Sequence, residues 1–359
     1  MKYHILTLGC QMNTSDSERI EAKLNSLQHI KSAEKEADLV VVNSCSVRQK
    51  GIDRIWGGIK KWRATGKKIL ITGCVLASDR KKYAERGIDF LHIDDLPKIN
   101  ADLNIVDNNT TKHYLEIIPE YSGNIAYIPI MTGCDNFCSY CAVPYTRGRE
   151  VSRETRDIIA EAKSAIDKGF KEIWLLGQNV NSFTGQKSVK SIRSIKSKID
   201  NSQFIKLLNT IDNLDGDFVF NFISSNPQDM GDELIDCFAN LQKWTKELHL
   251  AMQSGDDEIL RKMNRKETNE EFRKLVEKLK SKIKNIKLST DIIVGFPTET
   301  EAQFEKTVDA CREIGFFKAY VNQYSPRVGT VSAKMPDDVT PQEKKRRWEI
   351  LDKMINHKH

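Results

Sequence analysis

Three cysteines close together in the middle of the chain form the motif with the clearest chemical meaning. Cys134, Cys138 and Cys141 follow the spacing C-x3-C-x2-C, with Tyr140 just before the third cysteine. Three thiolates at this spacing can hold three irons of a [4Fe–4S] cluster and leave the fourth iron open. An open iron can bind and reduce a ligand, whereas electron relays usually close their clusters with four cysteines. The motif therefore predicts a cluster that takes part in chemistry.

A zinc site is the main alternative for these three thiols. Zinc usually takes four ligands from paired C-x2-C motifs or from mixed Cys/His motifs. The sequence contains no second C-x2-C pair and no H-x3-H pair. The spacing therefore favours the iron–sulfur interpretation over zinc or a purely structural role.

The composition is that of an ordinary globular chain and excludes several other classes. The chain has 359 residues, enough for two domains, with 39% hydrophobic and 30% charged residues. No apolar run approaches the length of a membrane span, and no signal peptide is expected after Met1, so we expect a cytoplasmic protein. Its eight cysteines then indicate metal ligands and spare thiols, not disulfides. The net charge of +6 permits a nucleic-acid partner without requiring one.

Strands and helices alternate in the N-terminal part of the chain. Short apolar runs predict strands over 3–8, 38–43 and 68–72, and helical patterns cover 15–27, 52–62 and 79–85. Ser15 or Asp16 is expected to cap the first helix. This alternation predicts a doubly wound parallel sheet with helices on both faces.

A second set of three cysteines accompanies these predicted strands. Cys10, Cys45 and Cys74 each come two residues after one of them. The loops at the carboxyl ends of parallel strands converge in one crevice, so the fold would bring the three thiols together. The alternative is three scattered buried cysteines, which the repeated position and the pairs Gly9-Cys10 and Gly73-Cys74 disfavour. A second three-thiolate site is therefore expected.

The rest of the chain predicts a partial, open (βα)6 barrel after a connector over about 100–123. Its strands are expected at 126–131, 172–176, 218–223, 248–252, 287–294 and 318–323. The intervening helices are expected at 152–168, 204–213, 229–241, 269–282 and 299–314, and a charged helix closes the chain from about 341 to 354. Barrel sites form at the carboxyl ends of the strands.

Polar motifs follow the predicted barrel strands. Beyond the cysteine loop they occupy 176–181, 224–227, 253–255, 295–299 and 324–330. Each motif alone is compatible with turn chemistry, because Gly, Asn, Pro and Ser are what turns require. Their repetition at one face of a barrel instead favours a binding site.

On these motifs the chain resembles the radical S-adenosylmethionine (SAM) superfamily, and within it the methylthiotransferases. The resemblance runs from Leu8 to about Lys353. The run Gly9-Cys-Gln-Met-Asn-Thr-Ser-Asp-Ser-Glu18 has the form of the branch that acts on isopentenylated tRNA, and Val143–Glu150 favours the same branch. The branch that modifies a ribosomal protein and the threonylcarbamoyladenosine branch usually differ at Gln11 and Met12.

The resemblance implies roles for particular residues. Cys134, Cys138 and Cys141 would hold the SAM-binding [4Fe–4S] cluster, and Cys10, Cys45 and Cys74 an auxiliary [4Fe–4S] cluster. Tyr140 lies where the family binds adenine through its loop backbone. The expected SAM contacts are Tyr140, Gly177, Gln178, Asn179, Ser224, Gln253 and Gly295. Cys237 and Cys311 are interpreted as core cysteines, and His249 as a barrel residue that is not a metal ligand.

The implied reaction is insertion of a methylthio group at carbon 2 of N6-isopentenyladenosine next to the anticodon of a tRNA. The chemistry would take place at the two clusters, so no acid–base residue is assigned. The expected partners are the tRNA anticodon stem-loop, a reductant such as flavodoxin or ferredoxin, and a sulfur donor or iron–sulfur carrier, with the chain a monomer. The alternatives are a threonylcarbamoyladenosine tRNA or ribosomal-protein methylthiotransferase, or a non-catalytic iron–sulfur electron-transfer protein.

Basic residues supply candidate RNA contacts. Arg147 and Arg149 lie beside the cysteine motif, and the segment Lys187–Lys198 carries basic residues and no acidic one. The alternative for that segment is a solvated surface. The expected domains are 1–122, 123–340 and a helix at 341–359. Family members usually continue with an RNA-binding β-barrel, which would be expected to begin where this sequence stops.

Overall fold

The computed structural model describes residues 1–45, 49–106, 113–186 and 199–357. It divides the chain into two compact units. Unit 1 comprises Met1–Pro129 together with Ala142–Gly148, and unit 2 comprises Ile130–Cys141 together with Arg149–His359. The segment Lys187–Lys198 lies outside the described residues. No helix in the described ranges is both long enough and apolar enough to cross a bilayer.

Unit 1 is built on a parallel five-stranded sheet. Its strands are β1 (Lys2–Thr7), β2 (Ile30–Lys31), β3 (Leu39–Cys45), β4 (Lys68–Cys74) and β5 (Asp89–Phe90), in the order β2-β1-β3-β4-β5. Its helices are α1 (Gln11–Ser26), α2 (Gln49–Ala64) and α3 (Ala77–Ala84). The continuous apolar runs of β3 and β4 are buried, as expected of central strands covered on both faces.

The two faces of this sheet carry separate hydrophobic cores. Tyr3, Leu39 and Val41 pack with Ile20 and Leu24 of α1 on one face. On the other face, alternate strand residues such as Val40 and Val42 pack with Ile55, Ile59 and Trp62 of α2 and with Tyr83 of α3. The doubly wound arrangement predicted for this part is therefore confirmed. A further strand, β6 (Ile125–Pro129), contacts α1 through a 3.0 Å hydrogen bond from Ser15 Oγ to the Tyr127 carbonyl.

Two local predictions in unit 1 were wrong. Helix α1 begins at Gln11, and its N-cap is Cys10, not Ser15 or Asp16. Asn13, in the first turn of the helix, accepts a hydrogen bond from the Cys10 N–H at 3.4 Å. Ser15 and Asp16 lie further along the helix, and both are buried. Cys45 and Cys74 are the last residues of their strands, because the β3–β4 ladder continues to pair them directly.

Unit 2 alternates short strands with helices, and its first two strands, Met131–Thr132 and Val151–Ser152, pair in antiparallel fashion. Its strands are β7 (Met131–Thr132), β8 (Val151–Ser152), β9 (Glu172–Leu176), β10 (Val219–Phe222), β11 (Glu247–His249), β12 (Lys287–Val294) and β13 (Lys318–Gln323). Ala142–Gly148 of unit 1 contains α4 (Val143–Thr146). The remaining helices are α5 (Thr155–Asp167), α6 (Ser202–Asp212), α7 (Asp232–Asn240), α8 (Asp257–Lys262), α9 (Asn269–Lys282), α10 (Glu301–Ile314) and α11 (Pro341–Asn356).

Most strands of unit 2 pair in parallel, as expected for the predicted partial (βα)6 barrel. β9 pairs in parallel with β10, and β11, β12 and β13 pair in parallel in that order. Single bridges at Phe220–Trp244 and Ser225–Leu250 connect β10 to the β11 segment. Behind them the Phe222 ring lies between Phe204, Phe238 and Trp244, with ring centres 5.1–5.5 Å apart. The α/β class is confirmed, and the domain limits 1–122, 123–340 and 341–359 stay a prediction.

Candidate functional site

The structure brings the three N-terminal cysteines together at the carboxyl ends of β1, β3 and β4. Cys45 and Cys74 lie opposite each other in the ladder. A Cβ placed on Gly9, which precedes Cys10, would lie only 2.9 Å from the Cys45 Cβ. Ligands of doubly wound sheets bind in this position, next to the point where the strand order reverses.

Two glycines allow this close approach. Gly9 and Gly73 have φ angles of +136° and +88°, which residues with a Cβ rarely adopt. A Cβ on Gly73 would lie 2.3 Å from Asn43 Oδ1 and 2.6 Å from the Ser44 carbonyl. The Gly-Cys pairs noted in the sequence are therefore a steric requirement of the crevice.

A buried amide network holds the crevice in shape. Asn13 Nδ2 donates to Asn43 Oδ1 at 3.0 Å and to the Ser44 carbonyl at 3.1 Å. Asn43 Nδ2 in turn donates to the Asn13 carbonyl at 2.7 Å and to Ser17 Oγ at 3.0 Å. Because both asparagines are fully buried, these bonds fix the α1 N-terminus against β3.

One buried cation faces the thiols. Arg147 Nε donates to Cys74 Sγ at 2.9 Å, and its Nη2 donates to Asp16 Oδ2 at 2.7 Å. Burial raises the pKa of Cys74 to about 12, with Arg147 acting in the opposite direction and the nearby Cys45 and Cys10 adding to the increase. Sequence analysis offered Arg147 as an RNA contact, and this was wrong, because its side chain is only 3% exposed and already paired.

The second cysteine triad is held on a tight loop within unit 2. The Cys141 N–H donates to the Cys138 carbonyl at 3.0 Å. Ser139 anchors the loop, since its N–H donates to the Met263 carbonyl at 2.9 Å and its Oγ to the Lys262 carbonyl at 2.8 Å. Burial raises the pKa of Cys134, while a backbone hydrogen bond at Asn136 acts in the opposite direction. Glu150, and then Cys141 and Cys138, add to the increase in this pKa.

Arg265 approaches this second triad. Its Nη1 lies 4.0 Å from Cys138 Sγ, its Nη2 donates to the Ala251 carbonyl at 2.9 Å, and Glu267 neutralises it. Burial lowers the pKa of Arg265, but Tyr140, Glu267 and Cys138 outweigh that effect and the net pKa is raised. Tyr140 itself packs against a small core that includes Met263, Phe296 and Tyr324. Sequence analysis missed Arg265, because only the fold brings it to the cysteine loop.

Buried polar atoms without a protein partner gather at the carboxyl ends of the unit 2 strands. Among the described residues, atoms of Gln178, Asn179, Asn181, Ser225, Asn226, Gln228 and Gln253 have no hydrogen-bond partner. Such atoms are rare in folded proteins unless a ligand or water completes them. The set includes three of the expected SAM contacts and adds four residues that had not been assigned individually.

The other expected contacts of unit 2 lie at the same ends of the strands. Ser224 and Gln253 adopt left-handed φ angles of 71° and 67°, and the Gln253 N–H pairs with the Asp291 carbonyl at 2.8 Å. Gly177 follows β9 directly. Gly295 has a packing role as well, because a Cβ there would lie 2.3 Å from Lys344 Cγ. The roles of all these residues in SAM binding stay predictions.

The residues assigned to no cofactor also have clear environments. Cys237 and Cys311 are buried at 8% and 1% exposure, as expected of core cysteines. His249 Nδ1 lies 3.1 Å from Ser289 Oγ and its Nε2 3.1 Å from Asp291 Oδ2, so its polar atoms are satisfied within the barrel.

The donor sets fit iron–sulfur clusters. In the described residues, no three His, Cys, Asp or Glu side chains converge on one point where a metal ion could be held. In a [4Fe–4S] cluster each thiolate binds a different iron, so the thiols need not converge. Each of the two cysteine sets supplies three thiols from neighbouring parts of the backbone, as such a cluster requires. The buried amide groups beside the second set that have no hydrogen-bond partner fit a polar ligand such as SAM.

Family comparisons agree with this arrangement. A model of the radical SAM superfamily matches residues 128–311, and the model described as uncharacterized protein family UPF0004 matches residues 2–92. The chain is 38% identical over 384 residues to a tRNA-2-methylthio-N(6)-dimethylallyladenosine synthase of Caldicellulosiruptor saccharolyticus, covering 98% of this chain and 77% of that protein. It is 39% identical to the synthase of the same name from Thermoanaerobacter sp., covering 99% and 78%.

A solved structure shares the fold. The radical S-adenosylmethionine methyltransferase TsrM from Kitasatospora setae, solved with cobalamin and a [4Fe-4S] cluster bound, superposes with a TM-score of 0.59. The match covers 92% of this chain and 76% of that one at 14% identity, so it supports the fold alone. Together with the extended sequence matches, these findings show that the chain belongs to the radical SAM superfamily and, within it, to the family of tRNA-2-methylthio-N(6)-dimethylallyladenosine synthases.

Proposed function

We propose that this chain is a radical SAM tRNA methylthiotransferase that places a methylthio group on carbon 2 of N6-isopentenyladenosine beside the anticodon. The observation that carries the proposal is the presence of two separate sets of three thiols in a member of this family. The carbon–hydrogen bond of an aromatic ring is beyond the reach of acid–base side chains, so the reaction requires cofactor chemistry. When bound, the two [4Fe–4S] clusters and SAM supply that one-electron chemistry and the sulfur.

The chain's own residues bind and orient these groups. Cys134, Cys138 and Cys141 hold the SAM-binding cluster, while Cys10, Cys45 and Cys74 hold the auxiliary cluster. The side-chain amide oxygens (Oε1) of Gln178 and Gln253 have no protein hydrogen-bond partner, so they can accept hydrogen bonds from an ammonium group such as the SAM amine. Because Gln253 is only 7% exposed, a bound ligand satisfies this oxygen where bulk water cannot.

An exposed aromatic–cation pair beside the second triad supports RNA binding. The Phe137 side chain is 38% exposed, and the Arg149 guanidinium lies 5.1 Å from its ring centre. Asp135 orients Arg149 through contacts of 2.8 and 3.1 Å, leaving the arginine side chain 59% exposed. Unstacked bases of RNA loops stack on such aromatic and guanidinium planes, and arginine also contacts phosphate. Arg149 therefore keeps the RNA-binding role expected for it, now with Phe137 beside it.

The remaining partners follow from the reaction. One-electron chemistry at a cluster requires a reductant such as flavodoxin or ferredoxin, and each turnover requires a sulfur donor or an iron–sulfur carrier. We keep a monomer as the proposed state of the protein.

Nucleoside mass spectrometry tests the proposal directly. The reconstituted protein is incubated without oxygen with SAM, a reductant and an anticodon stem-loop that carries isopentenyladenosine. We expect a methylthiolated nucleoside together with 5′-deoxyadenosine, and neither product from the C134A/C138A/C141A variant. Parallel reactions with a threonylcarbamoyladenosine stem-loop and with a ribosomal-protein peptide test the two related substrates. Absence of both products from a protein loaded with two clusters would overturn the proposal and favour an electron-transfer protein.

A further inference from the structure

Arg147 is a buried cation that directs one of its N–H groups at a thiol sulfur of the N-terminal triad. Its Nε donates to Cys74 Sγ at 2.9 Å, its Nη2 to Asp16 Oδ2 at 2.7 Å, and its Nη1 to Tyr114 Oη at 3.4 Å. The side chains of Arg147 and Asp16 are 3% and 0% exposed. All four residues belong to unit 1.

This pair is not explained by stability alone. Removing two charges from water is costly, and an apolar pair of similar volume is often as stable. An arginine guanidinium is always charged in proteins, and here the Asp16 carboxylate 2.7 Å from Nη2 balances that charge. A permanent cation is thus held with one N–H directed at a thiol sulfur.

We infer that Arg147 is a positioning residue that sets the charge and the reduction potential of the auxiliary cluster. The inference rests on the proposed assignment of Cys10, Cys45 and Cys74 to that cluster. One-electron reduction adds one negative charge to the cluster and its thiolates. A nearby cation and an N–H donor to a ligating sulfur stabilise the reduced form, and such contacts are among the levers that set cluster potentials.

Asp16 has the opposite electrostatic effect. Its carboxylate orients the guanidinium and neutralises part of its charge, while its own negative charge disfavours the reduced cluster. The two residues therefore predict shifts of opposite sign when each is neutralised. If the ion pair had only a structural role, the two substitutions would shift the potential in the same direction or not at all, because each breaks the same ion pair.

The test uses the full chain with the C134A/C138A/C141A changes, so that only the auxiliary cluster remains. The protein is reconstituted with iron and sulfide, its iron content is measured, and an anaerobic redox titration followed by electron paramagnetic resonance gives the midpoint potential. The compared variants in this background are Arg147→Gln, Arg147→Lys and Asp16→Asn. Arg153→Gln is the matched control, because Arg153 also forms a buried ion pair, with Glu161 at 2.7 Å.

Arg147→Gln is expected to lower the midpoint potential of the cluster by about 59 mV for one electron. At a fixed potential this raises the ratio of oxidised to reduced cluster about tenfold. Asp16→Asn is expected to shift the ratio the other way. Arg147→Lys should shift it less than Gln does, since the charge remains, and Arg153→Gln should leave it unchanged.

Unchanged potentials, or shifts of the same sign for Arg147→Gln and Asp16→Asn, would overturn the inference while leaving the cluster assignment intact. A parent protein that binds no iron would overturn the cluster assignment, and the inference with it. If Arg147→Gln takes up no iron, the remaining pair of Arg147→Lys and Asp16→Asn decides the question by the sign of the two shifts.

Discussion

At the scale of single residues, chemistry in this chain depends on how closely backbone segments approach the thiols. Gly9 and Gly73 have left-handed φ angles and leave no space for a Cβ against Cys45 and Asn43. Glycine is therefore required by the backbone geometry just before Cys10 and Cys74.

Gly9→Ala is expected to reduce the iron content of the reconstituted protein from two clusters toward one. The new Cβ would lie 2.3 Å from Asn13 Oδ1 and 2.9 Å from the Cys45 Cβ, so the α1 N-terminus that carries Cys10 must move. Iron and sulfide analysis measures the effect. Gly66→Ala is the control, because Gly66 also has a positive φ, of 70°, but no atom within 4 Å of the added Cβ. Equal iron content in both variants would contradict the steric argument.

Phe137→Ala is expected to weaken binding of the anticodon stem-loop about tenfold, because stacking on one aromatic ring contributes roughly 1–3 kcal/mol per base. Fluorescence anisotropy with a labelled stem-loop measures the dissociation constant. Phe317→Ala provides a matched control, since Phe317 is 56% exposed and has Lys287 Nζ 5.1 Å from its ring centre. Equal weakening by both variants would show that Phe137 has no specific role in RNA binding.

Residue types and spacing led to the prediction of two cysteine sets, but not of the residues that surround them. Cys10, Cys45 and Cys74 could be grouped because each lies at the end of an apolar run, and parallel strands end at one edge. The sequence carries no comparable signal for Arg147 or Arg265, which reach the thiols only through tertiary contacts. Arg147 looked like a surface cation for that reason.

At the scale of elements, the closing helix α11 is attached to the barrel through charged side chains. Arg347 Nη1 reaches out of the helix and donates to Glu299 Oε2 at 2.9 Å, whereas its Nε donates within the helix to Glu343 Oε1 at 2.7 Å. Arg346 also binds Glu343, at 2.7 Å. The helix limits were predicted well, because Thr340 and Pro341 mark its start, whereas the buried arginine could not be told from its exposed neighbours.

Glu343→Gln is expected to lower the free energy of unfolding of the apoprotein by about 1 kcal/mol at neutral pH, a modest value because the side chain is 29% exposed. Arg346 and then Arg347 lower the pKa of Glu343 to about 2. A glutamate whose pKa is lower in the folded state than in the unfolded state, where it is about 4.3, stabilises the fold fully at pH values above about 4.3. That stabilisation is lost as the pH falls toward 2.

Urea unfolding at several pH values measures the difference in the free energy of unfolding between the parent and Glu343→Gln. The difference between parent and Glu343→Gln should therefore shrink between pH of about 4.3 and 2. Glu349→Gln is the control on the same helix, because its contact with Lys345 is 3.6 Å long and exposed. A difference that stays constant with pH would exclude the ionic contribution.

At the scale of the whole molecule, each compact unit contains one complete set of three thiols. The triad of Cys10, Cys45 and Cys74 lies in unit 1, and that of Cys134, Cys138 and Cys141 in unit 2. Each unit also has its own hydrophobic core. The two cofactor sites should therefore be separable by mutation.

The variant C10A/C45A/C74A is expected to keep one cluster and to keep cleaving SAM, while forming no methylthiolated nucleoside. The residues that would hold SAM all belong to unit 2, so removal of the unit 1 thiols leaves them in place. Iron analysis and liquid chromatography of 5′-deoxyadenosine measure the outcome, with C237A as a control for loss of a buried thiol. Loss of SAM cleavage together with normal iron content for one cluster would contradict this independence.

The two triads also differ in when they can exist during biosynthesis. Cys134, Cys138 and Cys141 lie within one short loop, so a nascent chain can present them together as soon as that loop is made. Cys10, Cys45 and Cys74 meet only after β1, β3 and β4 have paired, and such non-local pairing is slow because loop-closure entropy must be overcome first. We therefore expect a cluster on Cys10, Cys45 and Cys74 to be assembled only after folding, so that iron starvation or oxygen exposure during synthesis leaves a population of chains that carries the local cluster alone.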